Sequence, residues 1–216
     1  MSLASVRSKR TGHFSTAYDQ HVTSEILALA REPAVLRAAA NDEIAIPEGA
    51  WAGSAEAVEG LLRWVVADLD RCPSVVVERS EFDMYGSGYA SFVDVLLTWR
   101  DGSARVADDN MTRVRGLAVG LCRLAPIAAL FADVDIAFCA TSGASYLPSL
   151  ETAASNPVTG WEDACRDIVQ VLDRHGILLL DRETLSTSID PALTVETVLT
   201  DRPPYTIFDA WFHWMD

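Results

Sequence analysis

The stretch that decides the fold is Ser74-Val75-Val76-Val77-Glu78-Arg79-Ser80-Glu81-Phe82-Asp83, together with residues 84–107. Three consecutive valines behind Cys72-Pro73 break the helical period of the preceding residues, and β-branched side chains fit a pleated, half-buried surface. Residues 74–83 therefore read as a strand. Tyr85-Gly86-Ser87-Gly88-Tyr89 reads as a turn, and residues 91–99 as a second strand. Arg100-Asp101-Gly102-Ser103 supplies an Asp-Gly turn into a short third strand at 104–107. The expectation is a three-stranded antiparallel meander. Gly86-Ser87-Gly88 is no phosphate cradle on this reading, because a dinucleotide fingerprint needs a third glycine and a following helix.

Working outward, the N-terminal side is helical. Residues 23–40 carry Ile26, Leu27, Leu29 and Ala30 on one side, and Pro33 begins a second helical piece, since proline suits a first turn. Ser54 caps a stronger helix whose Val58, Leu61, Leu62, Val65 and Leu69 form one stripe. On the C-terminal side, Asp108-Asp109-Asn110 reads as the cap of a helix over 111–124, and Pro126 as the start of a shorter helix to Phe131. Residues 133–139 read as a strand and 141–158 as a long loop, a candidate functional surface. Thr159-Gly160-Trp161-Glu162 has the capping-box pattern and opens a helix that closes at Arg174-His175-Gly176. A short strand at 177–180, a helical turn at 181–186 and, from Thr206, either a short helix opened by Thr206 and Asp209 or a terminal strand complete the pass. The fold class is α+β: an antiparallel β-sheet, the meander at about 74–107 plus later strands, packed against several α-helices. Residues 1–20 read as a flexible tail and 21–216 as a single domain.

Composition sets the function classes. Half of the 216 residues are hydrophobic and the formal net charge is −14. Such a field repels nucleic acid and anionic membrane, and it draws in a cationic partner. Of seventeen basic residues only Lys9 is a lysine, and it lies in the tail. Schiff-base chemistry, pyridoxal phosphate attachment and lysine-dependent phosphate binding lack their residue. The four cysteines, Cys72, Cys122, Cys139 and Cys165, have neither redox nor zinc spacing and read as small buried thiols of a cytoplasmic protein. No apolar run is long enough to span a bilayer. His13, His21, His175 and His213 are scattered, with no zincin pair and no nucleophile elbow beyond the imitation Thr141-Ser142-Gly143-Ala144-Ser145. No metal site and no cofactor are expected.

The residues left for recognition are carboxylates on or near the meander, Glu78, Glu81, Asp83, Asp94, Asp108 and Asp109, and the rings of the tail. Phe208, Trp211 and Phe212 stand at i, i+3 and i+4, one helical stripe that docks as core; otherwise Trp211 and Trp214 serve as anchors for a partner.

The C-terminal layout adds a resemblance. A helix, then Leu178-Leu179-Leu180-Asp181-Arg182-Glu183-Thr184-Leu185, then Ile207-Phe208-Asp209-Ala210-Trp211-Phe212-His213-Trp214, resembles immunity proteins of bacterial polymorphic toxin systems. The resemblance covers about the last quarter of the chain and carries over no functional residue. It implies a stoichiometric, non-catalytic inhibitor that binds a toxin domain made by the same cell, with the toxin gene immediately upstream. An acidic surface complements a basic toxin. The competing expectation is a small-molecule enzyme that uses the carboxylates, with a divalent metal as an option, on an unfamiliar scaffold. It requires two or more of the six to converge in a deep pocket with an Arg or His. An oligomeric scaffold with a large apolar self-interface is the third.

Overall fold

The computed structural model describes residues 16–86, 88–108, 111–139, 142–143 and 146–216. The fold is α+β, a mostly antiparallel sheet with helices on both faces. The strand read at 74–83 is β1 (Val75–Glu81), and the strand read at 91–99 is β3 (Phe92–Trp99). They pair antiparallel from Val75 opposite Trp99 to Glu81 opposite Asp94, with a bulge at Glu78. A two-residue strand, β2 (Tyr89–Ala90), pairs with β10 (Trp214–Met215) in a separate small ribbon.

The third strand exists but has a different partner. β4 (Arg105–Asp108) pairs with β5 (Met111–Cys122), which also pairs with β3. β3 and β4 therefore lie end to end along β5, and residues 100–104 loop out of that line. The loop is pinned where the meander turn was expected. Arg100 reaches back to the carbonyls of Asp70 and Cys72, Thr98 Oγ1 donates to the Arg115 carbonyl, and Arg115 N donates to the Ala104 carbonyl.

The two helices expected over 111–131 are strands. β5 pairs along almost its whole length with β6 (Ile127–Cys139). Residues 116–122 and 127–131 are nearly all apolar because this part of the hairpin is covered on both faces, so the period of two that marks a half-buried strand is erased there. Gly116 and Gly120 are the readable sign, since glycine is poor inside a helix. A Cβ at Gly116 would collide with the Leu97 carbonyl oxygen, and one at Gly120 would meet Phe131 at 3.1 Å and Phe212 at 3.3 Å. Gly116→Ala is expected to cost about 2 kcal/mol, because the β3–β5 pairing must spread. Gly60→Ala, with nothing within 4 Å, is expected to be neutral or to stabilise its helix. Urea unfolding midpoints of the two variants check both statements.

The central order is β1-β3-β5-β6. On the far side of β6 lie β7 (Ser142–Gly143), β8 (Ala153–Ala154) and β9 (Leu178–Leu180), the last of them parallel. One face is covered by α3 (Ala55–Asp70) and α4 (Glu162–Arg174), whose Val58, Leu62, Val65, Leu69, Ile168 and Leu172 meet Val93, Val95, Leu117 and Val119. Ser54 Oγ accepts from Ala57 N at 3.3 Å, as the expected cap. α4 begins two residues later than its capping-box pattern suggests, with Trp161 rather than Thr159 at the N-cap, and the Glu162 carboxylate accepts from Gly160 N rather than bracketing Thr159.

The opposite face is covered by α1 (Thr16–Leu29), α2 (Pro33–Ala39), α5 (Arg182–Leu185) and α6 (Ile207–Trp211). Pro33 does open α2. α1 starts at Thr16, inside the stretch read as tail; residues 1–15 lie outside the described residues. In α6 the Asp209 carboxylate accepts from Thr206 N at 2.7 Å and from the Thr206 hydroxyl at 2.8 Å, the expected capping box. Phe208, Trp211 and Phe212 are buried against Phe92 and Phe131. Among the described residues no helix is long and apolar enough to cross a membrane.

Candidate partner-binding surface

The apolar stripe of α3 decides what its other side presents. Val58, Leu62, Val65 and Leu69 are buried, and Trp64 falls between the turns of that stripe, so its ring points away from the core. Trp64 is 64% exposed, while Trp51 and Trp211 are 2% and 0% exposed. Small neighbours one turn away, Gly60 and Ala67, leave the ring uncovered. An indole in water gives up a large burial energy that a partner can recover.

The helix that carries it and the neighbouring α4 have an excess of acidic residues. Ala55–Asp70 and Glu162–Arg174 together hold eight carboxylates (Glu56, Glu59, Asp68, Asp70, Glu162, Asp163, Asp167, Asp173) against three arginines (Arg63, Arg166, Arg174). α3 and α4 pack side by side. Arg63 is held by Glu59 at 2.6 Å and stacks on the Phe82 ring at 4.2 Å, and Arg166 is held by Asp163 at 2.7 Å. Asp68 links the two helices, 3.0 Å from His175 Nε2 and 2.8 Å from Arg71. Two hollows lie along α3. One of about 560 Å³ lies at its N-terminal half, lined in part by Asp42, Glu56 and Glu59 and by Arg63 and Arg123. One of about 590 Å³ lies past its C-terminus, lined in part by Asp68, Asp167 and Asp173 and by Arg71 and Arg174.

Four of these carboxylates, Glu56, Glu59, Asp68 and Glu162, hold their charge against acid. The Glu59 carboxyl is lowered from its ordinary value chiefly by the Arg63 hydrogen bond, and Asp68 by those from His175 and then Arg71. Glu56 is lowered by the Ser54 hydroxyl and then its own N–H, and Glu162 by the Gly160 N–H and then its own. A carboxyl whose folded value is depressed contributes stability above its unfolded value, and that stability is lost as pH falls through the folded value. The stability contributed by these groups is therefore expected to be flat from pH 7 to about 5 and to fall below about pH 4, near the unfolded carboxylate range. Urea unfolding at stepped pH checks this; a stability maximum at pH 4 contradicts it.

The residues singled out in the sequence are not gathered. Glu78 is paired with Arg105. Glu81 accepts from Asp83 N at 2.9 Å, and Asp83 is exposed past the end of β1. Asp94 is 1% exposed, 3.5 Å from Arg79, and so lies too deep to meet a partner. Asp108 ends β4, and Asp109 lies outside the described residues. Of Glu78, Glu81, Asp83 and Asp94, none lines either hollow. The anchor role for Trp211 is corrected by its burial: its Nε1 donates to the Ala30 carbonyl at 3.0 Å, so it is core. Trp214 is half-buried in β10. Trp64 was legible as an indole off its own helix's stripe, a signal that acidic clusters do not carry.

The chemistry open to His213 is limited by its partners. His213 is 1% exposed; its Nδ1 faces the Ala210 carbonyl at 3.1 Å and its Nε2 faces Asp42 at 2.5 Å. Both ring nitrogens are engaged, leaving neither to take a proton from a bound molecule. The pair instead ties the C-terminal segment to the turn after α2. Cys72, Cys122 and Cys165 are buried free thiols, and burial pushes Cys122 up to about 12. Among the described residues no three His, Cys, Asp or Glu side chains come together as a metal site.

Comparison with protein-family models, with characterised proteins and with solved structures finds no match. The class that can be stated is that of the fold, α+β.

Proposed function

We propose that this chain is a non-catalytic protein-binding protein, an immunity-type inhibitor that neutralises a cognate basic toxin domain in the cytoplasm of the cell that makes both. The observation that carries the reading is Trp64, 64% exposed on a helix pair with eight carboxylates against three arginines. An exposed apolar anchor on a helix pair with an excess of acidic residues suits a protein partner of the opposite sign: the charge speeds encounter, and the ring supplies the buried contact. The resemblance of the C-terminal layout to immunity proteins supports the same partner class.

The test is to express the product of the gene immediately upstream together with this chain. The expected result is rescue of growth and a 1:1 complex by light scattering that weakens as salt rises. An upstream product that is harmless, or that fails to bind the purified chain at low salt, sinks the reading.

A further inference from the structure

β1 stands first in the central order, and among the described residues it pairs only with β3. Arg100 N donates to the Ser74 carbonyl, which sets the alternation of that ladder. Arg79 and Glu81, opposite Leu96 and Asp94, turn their main chain to β3, and Ser80 between them turns its N–H and carbonyl outward. An outward row of this kind is a template for another strand. Nearer the start of β1 the edge is closed, because Asp70 Oδ1 accepts from Val77 N at 3.0 Å and Glu78, in the bulge, is held by Arg105.

A groove of about 370 Å³ runs beside that edge, between α3 and β1, lined in part by Arg63, Val66, Ala67, Asp70, Ser80 and Phe82. α3 and β1 run antiparallel there. Asp70 sits at Val77 and Arg63 lies 4.2 Å from the centre of the Phe82 ring, so Val66 and Ala67 fall beside Ser80. The charged lining is one arginine and one aspartate, balanced where the α3–α4 face is acidic. Each charged group keeps a free end. Arg63 holds Glu59 through Nη2, Asp70 makes both of its contacts through Oδ1, and Glu81 accepts from Asp83 N through Oε1. Arg79 stands 3.5 Å from Asp94, and its Nε and Nη2 make no hydrogen bond.

We propose that β1 and α3 form a two-fold interface with a second copy of this chain, the axis passing Ser80. The alternation allows Ser80 to lie opposite the second copy's Ser80, the two exchanging both main-chain hydrogen bonds. Arg79 then faces the second copy's Glu81, and Glu81 its Arg79, two cross-strand pairs of opposite charge. The same axis passes α3 between Val66 and Ala67. It lays the two α3 helices antiparallel, with Arg63 opposite the second copy's Asp70. One axis thus satisfies the strand, the helix and both kinds of charge pair, the self-complementarity that a two-fold contact requires. At physiological salt the repulsion between two acidic chains is screened beyond about 8 Å, and these pairs act within that range. Trp64 is not part of the groove, so this contact and the proposed toxin contact stand or fall separately.

The experiment measures the mass of the full chain by sedimentation equilibrium over a dilution series at physiological salt. A monomer–dimer equilibrium is expected. Ser80→Pro removes the outward N–H and spares the ladder to β3, and is expected to weaken the dimer by about tenfold or more. Arg63→Glu and Asp70→Arg each set like charges across the axis, and each alone is expected to weaken the dimer. Mixed in equal amounts, the two variants regain opposite charge at both sites, and the mixture is expected to dimerise more tightly than either variant by itself. That rescue separates an interface from a folding defect. A chain that stays monomeric up to about 1 mM, a dimer indifferent to Ser80→Pro, or a mixture no heavier than its components overturns the interface.

Discussion

Trp211→Ala is expected to lower the unfolding free energy by about 3–5 kcal/mol, a large part of the roughly 5–15 kcal/mol that holds a domain folded. The indole is 0% exposed at the end of α6, and its Nε1 bond to the Ala30 carbonyl joins the last helix to the end of the first. Truncation empties a site walled by packed side chains and orphans a buried carbonyl. Around it Phe208 and Phe212 stack at 5.9 Å, and Phe208 meets Phe131 edge-on at 6.1 Å. Trp211→Phe keeps most of the apolar volume and loses the hydrogen bond, so it is expected to cost less than the alanine. Urea unfolding of the three proteins separates the packing loss from the hydrogen-bond loss. A Trp211→Ala cost under about 1 kcal/mol contradicts the full burial of this ring.

The same tail shows where the sequence was readable. The Thr206 and Asp209 pair and the i, i+3, i+4 aromatic stripe are local signals, and local signals survive folding. So do the Ser54 cap and the α3 stripe, and the β-branched run of β1. Two kinds of information were not local. Residues 116–122 and 127–131 lost their period because both faces are buried, and whether the second face is covered depends on α1, α2 and α6, far away in the chain. The partner of β4 depended on how residues 100–104 loop out, which rests on Arg100 reaching carbonyls thirty residues back. The candidate surface failed for a similar reason. Glu78 and Asp94 were counted as available charge, but each faces an arginine across a strand or loop whose pairing no spacing rule gives. Trp64 differs: its exposure follows from the helix period alone, once the stripe is drawn.

Trp64→Ala is therefore the variant with the largest expected effect on binding to the proposed partner. A tryptophan anchor at the centre of an interface costs about 2 kcal/mol or more on truncation, roughly a thirtyfold loss of affinity. The loss should lie mainly in the dissociation rate, since the ring acts after encounter. Its effect on folding is expected to stay within about 0.5 kcal/mol, because the side chain is 64% exposed. The carboxylates act in the opposite kinetic phase. Glu56→Gln together with Glu162→Gln removes two charges from the α3–α4 face, with only their contacts to the helix starts weakened, and is expected to slow association and flatten its salt dependence. Surface-binding kinetics against the upstream gene product, run at low and physiological salt, resolve the two. If Trp64→Ala leaves dissociation unchanged while the complex still forms, the partner docks on another face, and the exposed indole is not its anchor.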